Sequence, residues 1–273
     1  MSRSTTLNFF KLLGIGLLLS LITYGITLYL TTTEPKATTI LVSAASSLQP
    51  VLTELTPLYE RANPTVKINY KFAGSGTLSQ QLLQGAKTDV FIAAAPEHVT
   101  VLGLENLLAR HSKRNIATNR LALVVPTSSH FNDLTKLPIN DFTDLSRDEV
   151  QRVTIGNPRF VAAGKYAREV LEKSGVWQKV ESKLALAKDE KAILAAVENG
   201  DTDAGLIYLT DAKTSDLVIV VTVSPTSLHS PILYPAAVLQ SSAAQEISRS
   251  YIDFLCSPSA QEILKKYSFE VPD

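Results

Sequence analysis

The sequence predicts an α/β protein of two lobes, and three observations carry that prediction. Short β-type runs alternate with amphipathic helical patterns along residues 37–273, as in βαβ units with a largely parallel sheet. Two strongly aliphatic runs, 121–125 and 217–223, stand far apart and enclose a block with its own strand and helix alternation. With 273 residues and 45% hydrophobic side chains, the chain is long and apolar enough for one large core or two modest ones. The first lobe then takes residues 37–120 and 228–273, and the second takes 121–227. Two chain crossings join them as a hinge. A ligand in such a protein belongs between the lobes, near helix N-termini at the carboxyl ends of strands.

Residues 1–36 stand outside that fold as a targeting segment. Arg3 and Lys11 precede an uncharged stretch, 12–30, whose 19 residues are just long enough to span a bilayer as a helix. No A-x-A cleavage signature follows it, so the segment is read either as a signal peptide or as an N-terminal transmembrane anchor. Both keep the basic residues in the cytoplasm and send 37–273 to the periplasmic side, free or tethered to the inner membrane.

The elements of the exported part follow in order. Residues 39–44 form an apolar strand, and Leu48, Val51, Leu52, Leu55, Leu58 and Tyr59 recur at helical spacing until Asn63-Pro64 stops the helix. Val66, Ile68, Tyr70 and Phe72 alternate as a half-buried strand. Gly74-Ser75-Gly76 then opens a helix through Thr77, Leu78, Leu82 and Leu83. Residues 90–94 are a third strand, and Pro96 suits the first turn of the next helix. The middle block holds strands at 121–125, 153–155, 204–208 and 217–223, with helices near 164–173 and 190–199. A strand at 236–239 and two helices near 243–255 and 259–267, parted by Ser257-Pro258-Ser259, complete the chain. Cys256 is expected to pack with Ile252 and Leu255.

Composition excludes several functions. The 26 basic and 26 acidic residues balance, which argues against a nucleic-acid binder. Setting aside 1–36 removes Arg3, Lys11 and Lys36 against Glu34, so an anion would not be drawn by an overall positive field. The single cysteine allows no internal disulfide or CxxC pair, and the four histidines fall singly, so no metal site or cofactor is expected.

Four segments place small or hydroxyl residues where a strand gives way to a helix, and the orphan N–H groups there make anion sites. They are 43–50 with Ser47, 72–78 with Ser75 between two glycines, 160–167 with Ala163, and 187–191 with Glu190. Taken alone, Ser47 reads first as an ordinary helix cap, and Gly-Ser-Gly reads equally as a flexible turn. The latter is neither a P-loop nor a G-x-S-x-G elbow. Tyr208, closing Gly205-Leu206-Ile207-Tyr208, reads by itself as a core tyrosine.

Taken in order, Ala-Ala-Ser-Ser-Leu, Phe-Ala-Gly-Ser-Gly-Thr-Leu, Asp89 to Ala94, Gly156-Asn157-Pro158, Ala163-Gly164-Lys165-Tyr166-Ala167, Gly205 to Tyr208 and the tail Ser257 to Phe269 resemble the molybdate-binding proteins of bacterial ABC transporters. The resemblance spans nearly all of 39–270. It implies a type II periplasmic binding-protein fold, capture of molybdate or tungstate between the lobes, and delivery by a monomer to a permease driven by a cytoplasmic ATPase. It assigns Ser47 and Ser75 as hydroxyl and backbone donors, Ala163 and Glu190 as backbone donors, and Tyr208 as a phenol donor. Two positions depart from the family. Gly76 stands where relatives often have serine, at little cost if the donor there is backbone. Glu190 sets a carboxylate beside a dianion, so its side chain is expected to turn to solvent.

A donor-only site suits an unprotonated dianion and penalises hydrogen phosphate, whose O–H would face another donor. A phosphate carrier would want an acceptor carboxylate, and Glu190 is the one candidate in these segments. Sulfate, or another tetrahedral oxyanion, remains an alternative within the same fold. A serine hydrolase is the alternative from another class, but no triad spacing supports it, and the chain is read as a carrier rather than an enzyme.

Overall fold

The computed structural model describes residues 20, 23, 37–127 and 139–272. The signal or anchor reading of 1–36 therefore lies almost wholly outside the described residues. Among the described residues no helix is long and apolar enough to cross a membrane. Met1–Ala37 and Thr38–Asp273 form separate units, and the second carries the fold.

From its start this unit runs β1 (Thr38–Ala45), α1 (Gln49–Ala62), β2 (Val66–Ala73), α2 (Ser75–Leu83), β3 (Val90–Ile92), α3 (Pro96–Leu104) and β4 (Arg114–Thr118). It continues as β5 (Leu121–Pro126), β6 (Val153–Gly156), α4 (Ala162–Lys173), α5 (Trp177–Val180), β7 (Leu184–Ala187), α6 (Glu190–Glu198), β8 (Ala204–Tyr208), α7 (Leu209–Ala212) and β9 (Val218–Val223). It returns through β10 (Leu233–Val238), α8 (Gln245–Leu255) and α9 (Pro258–Lys266). One five-stranded sheet has the order β2-β1-β3-β10-β4 and the other β7-β6-β8-β5-β9.

The expected largely parallel sheet is corrected to two mixed ones. In each, two strand pairings are parallel and two antiparallel. The cause is the crossing. β4 ends at Thr118 and β5 begins at Leu121, opposite Tyr208 at the carboxyl end of β8. A strand that enters a sheet from the end where its neighbours finish must run against them. β10 does the same in the other sheet, where Ala236 faces Ile92 at the end of β3.

Two strands, β4 and β7, have no counterpart in the sequence reading. Both lie at or next to a sheet margin, and neither carries the signal of a buried run: β4 buries only Ile116 and Ala117, and no residue of β7 is fully buried. Cys256 does not pack inward as expected. It follows the last turn of α8 and is exposed.

Both sheets contribute to a core of aliphatic strand residues such as Ile40, Val42, Leu121, Leu123, Val153 and Ile155, all at 0% exposure. Helix α6 has a true side-chain cap, since Asp189 accepts from the Ala192 N–H at 2.8 Å. Asp189→Ala will lower the unfolding free energy by about 1 kcal/mol, read from the midpoint of a urea titration.

Candidate functional site

Hydrogen bonds between the lobes bring the carboxyl ends of β1, β3 and β8 together with the N-termini of α2, α4 and α6. The sequence explains this locally. Pro50 opens α1 without an N–H of its own, and Gly74, before α2, leaves room for the Phe160 carbonyl oxygen, which would stand 3.0 Å from a Cβ there. Neither α2 nor α4 has a side-chain cap, so their first N–H groups are left for other acceptors.

Ser47 does not cap a helix. It lies in a short 3-10 turn, Ser46–Leu48, and its buried hydroxyl pairs with the Tyr234 hydroxyl at 3.2 Å. Tyr234 also accepts from the Asn119 amide at 2.9 Å, which ties it to the first crossing. Ser75, the first residue of α2, is fully buried and its Oγ accepts from the Ala94 N–H at 2.9 Å. That leaves its O–H free to donate. Tyr208 donates to the Ala94 carbonyl at 3.3 Å. Burial, then the neighbouring Tyr234, push the Tyr208 phenol well above its ordinary value, so it stays a neutral donor.

Glu190 opens α6, and its side chain does not turn to solvent as expected. The residue is 0% exposed, and Ser46 donates its hydroxyl to Oε2 from the opposite lobe. The N–H groups of Ala163 and of Glu190 itself favour the carboxylate's charge, but burial outweighs them and raises the group above the ordinary carboxylate range. Gly76, the other departure from the family pattern, is engaged within the protein. Its N–H donates to the Phe160 carbonyl at 2.9 Å, across the lobes, and is not left for a ligand.

The structure thus brings all five sequence-predicted residues to one region between the lobes. Ala94 links Ser75 to Tyr208, and the Glu190 carboxyl, whose charge the Ala163 N–H favours, takes the Ser46 hydroxyl of the first lobe. Tyr234 links Ser47 to Tyr208, their rings lying 5.9 Å apart. Sequence reasoning did not single out Ser46, Ala94, Asn119 or Tyr234. Ser46 carried a signal as the first of two adjacent serines, whereas the other three carried none, because their roles come from partners far along the chain.

Among the described residues no cationic side chain hydrogen-bonds to this set. Lys165 stands at its rim, paired with Glu97 at 2.8 Å from the other lobe and with Glu169 at 3.7 Å. Positive character inside comes from helix ends and hydroxyl donors. Among the described residues no group of three or more His, Cys, Asp or Glu could hold a metal ion.

Two α/β lobes on two crossings, with helix N-termini gathered between them, define a solute-binding protein of the two-lobed periplasmic class. Residues 40–270 match the bacterial extracellular solute-binding proteins, and the chain belongs to that family. It is 32% identical to the molybdate-binding protein ModA of Haemophilus influenzae over 230 residues, 84% of this chain and 89% of that one. It is also 32% identical to ModA of Escherichia coli over 232 residues, 85% of this chain and 89% of that one. The periplasmic molybdate-binding protein of Azotobacter vinelandii shares the fold, with a TM-score of 0.75 at 19% identity, covering 86% of this chain and 100% of that one.

Proposed function

We propose that this protein captures molybdate, and with it tungstate, outside the cytoplasm and passes it as a monomer to an ABC permease for import. The observation that carries this reading is the convergence, between the lobes, of hydroxyls and helix N-termini in a buried region into which, among the described residues, no cationic side chain hydrogen-bonds. Such a set favours a dianion that brings acceptors only. The similarity to two molybdate-binding proteins supports the choice of anion. Ser47, Ser75 and Tyr208 supply hydroxyl donors and Ala163 and Glu190 backbone N–H donors, while residues 1–36 direct export. Closure of the lobes removes water and strengthens each bond.

Isothermal titration of the full chain in detergent with molybdate, tungstate, sulfate and phosphate tests this. One-to-one binding of molybdate and tungstate is expected, with a Kd of about micromolar to nanomolar, and no heat from sulfate or phosphate. Ser75→Ala and Tyr208→Phe should each weaken molybdate binding by about 10- to 100-fold, the value of a hydrogen bond to a charged group. A folded protein silent to every oxyanion would overturn the reading, and tight sulfate binding alone would move it to the sulfate alternative.

A further inference from the structure

The Glu190 carboxyl group stands where an oxyanion would be received. It is wholly buried, takes the Ser46 hydroxyl on Oε2, and leaves Oε1 without a hydrogen-bond partner. Burial disfavours its charge, the Ser46 hydroxyl and then the N–H groups of Glu190 and Ala163 favour it, and those two N–H groups are the ones the proposed function offers to the ligand. A dianion brought beside an ionised carboxylate would meet a like charge in a region from which water is excluded. A carboxylic acid would meet it with an O–H donor instead.

Resting on the reading of this site as an oxyanion receptor, we propose that Glu190 receives the dianion as a neutral acid, so that wherever the free protein has lost that proton, capture of the anion takes one up. The proton comes from solvent and stays on a carboxyl oxygen, its O–H directed at the anion. No covalent bond to the anion forms or breaks.

The surroundings favour the acid. Tyr208 and Tyr234 face the region as buried phenols, and Asp211, on α7, is a second buried carboxyl with Oδ2 unpartnered. Burial and Glu190 together push Asp211 well up, and Lys191 offsets this only in part. On its own helix Glu190 feels the charge of Asp189, which raises it further. From α4 and α3, Lys165, Glu169 and Glu97 are engaged with one another at the rim. Two carboxyl groups in one buried region resist being charged together, and a dianion adds to that resistance.

The sign follows from linkage. Binding the dianion favours the protonated Glu190, so affinity is greatest at pH values where the free protein already holds that proton. Above that pH, affinity falls as pH rises, by at most about tenfold per pH unit.

Calorimetric titration of the full chain with molybdate, in buffers of contrasting ionisation enthalpy between about pH 6 and about pH 9, counts the protons. The wild type should take up a fraction rising toward one proton as pH increases, with affinity falling in step. Glu190→Gln, whose amide keeps an N–H donor, should bind molybdate without proton uptake and with a flat pH profile. Asp211→Asn should keep the wild-type proton count. Wild-type affinity that falls with rising pH without proton uptake, or binding that exchanges no proton at a pH where the free Glu190 is ionised, overturns the proposal even if Glu190→Gln does not fold. Proton uptake that survives in Glu190→Gln or vanishes in Asp211→Asn overturns it too. Tight hydrogen phosphate binding lost in Glu190→Gln would make the carboxylate an acceptor and reverse the assignment. Absence of molybdate binding at every pH would instead remove the function on which the proposal rests.

Discussion

Gly164→Ala will destabilise the protein by about 3 kcal/mol, at the upper end of the cost of overpacking a core. A Cβ at Gly164 would lie 2.0 Å from the Gly156 carbonyl oxygen and 2.4 Å from its carbonyl carbon. Neither backbone can withdraw cheaply. Gly156 ends β6 and is paired with Ala187 of β7, while Gly164 sits in the first turn of α4 beneath Tyr166 and Ala167, both fully buried. Helix propensity works the other way, favouring alanine over glycine by about 1 kcal/mol, so the two effects oppose and sterics should win. A urea titration should show a lowered midpoint with an unchanged slope. Equal or greater stability would mean that the helix can shift off the strand, and would refute the close packing as a constraint.

Gly76→Ser should leave the ligand-free protein nearly as stable as the wild type and weaken molybdate binding by about 100-fold, roughly 2.7 kcal/mol. The difference from Gly164 lies in what the new atom meets. A Cβ at Gly76 would stand 2.8 Å from the Cα and carbonyl oxygen of Phe160, which belongs to the other lobe. The neighbouring Gly74 is nearly as close, with the Phe160 oxygen at 3.0 Å and the Lys188 oxygen at 3.3 Å. These are contacts between lobes joined by two crossings, so strain is relieved by opening and not by unfolding. Opening separates Ser75 from Ala163 and dismantles the site. Titration with molybdate beside a thermal melt separates the two outcomes. Unchanged affinity would show that Phe160 yields, and that closure does not depend on this seat.

Much of the fold was legible because its signals are local. Of the helical set, Val51, Leu52, Leu55 and Tyr59 became the buried face of α1, with Leu48 at its N-cap and Leu58 exposed, and the alternation of Val66, Ile68, Tyr70 and Phe72 became β2. Both record which face of one element is buried. β4 and β7 escaped because a strand that buries few side chains shows little alternation. Strand direction escaped for another reason. β5 and β10 run against their neighbours because of where the chain re-enters each sheet, and a strand's hydrophobic pattern is the same read in either direction.

The site divides along the same line. The strand-to-helix junctions around Ser47, Ser75, Ala163 and Glu190 are legible from nearby chain, since small and hydroxyl residues at a helix start are properties of a few neighbours, whereas the choice of these residues and of Tyr208 as ligand donors came from the family resemblance. Which hydroxyl meets which acceptor was decided only when the chain folded. Ser46 and Glu190 are 144 residues apart, Ser47 and Tyr234 are 187 apart, and Tyr208 reaches Ala94 across 114. The inward turn of Glu190 belongs to this second kind. A carboxylate beside two lysines reads as a solvated helix start along the chain, and only the approach of the other lobe buries it against Ser46. Burial is a sum over residues distant in sequence, so no pattern of neighbours encodes it.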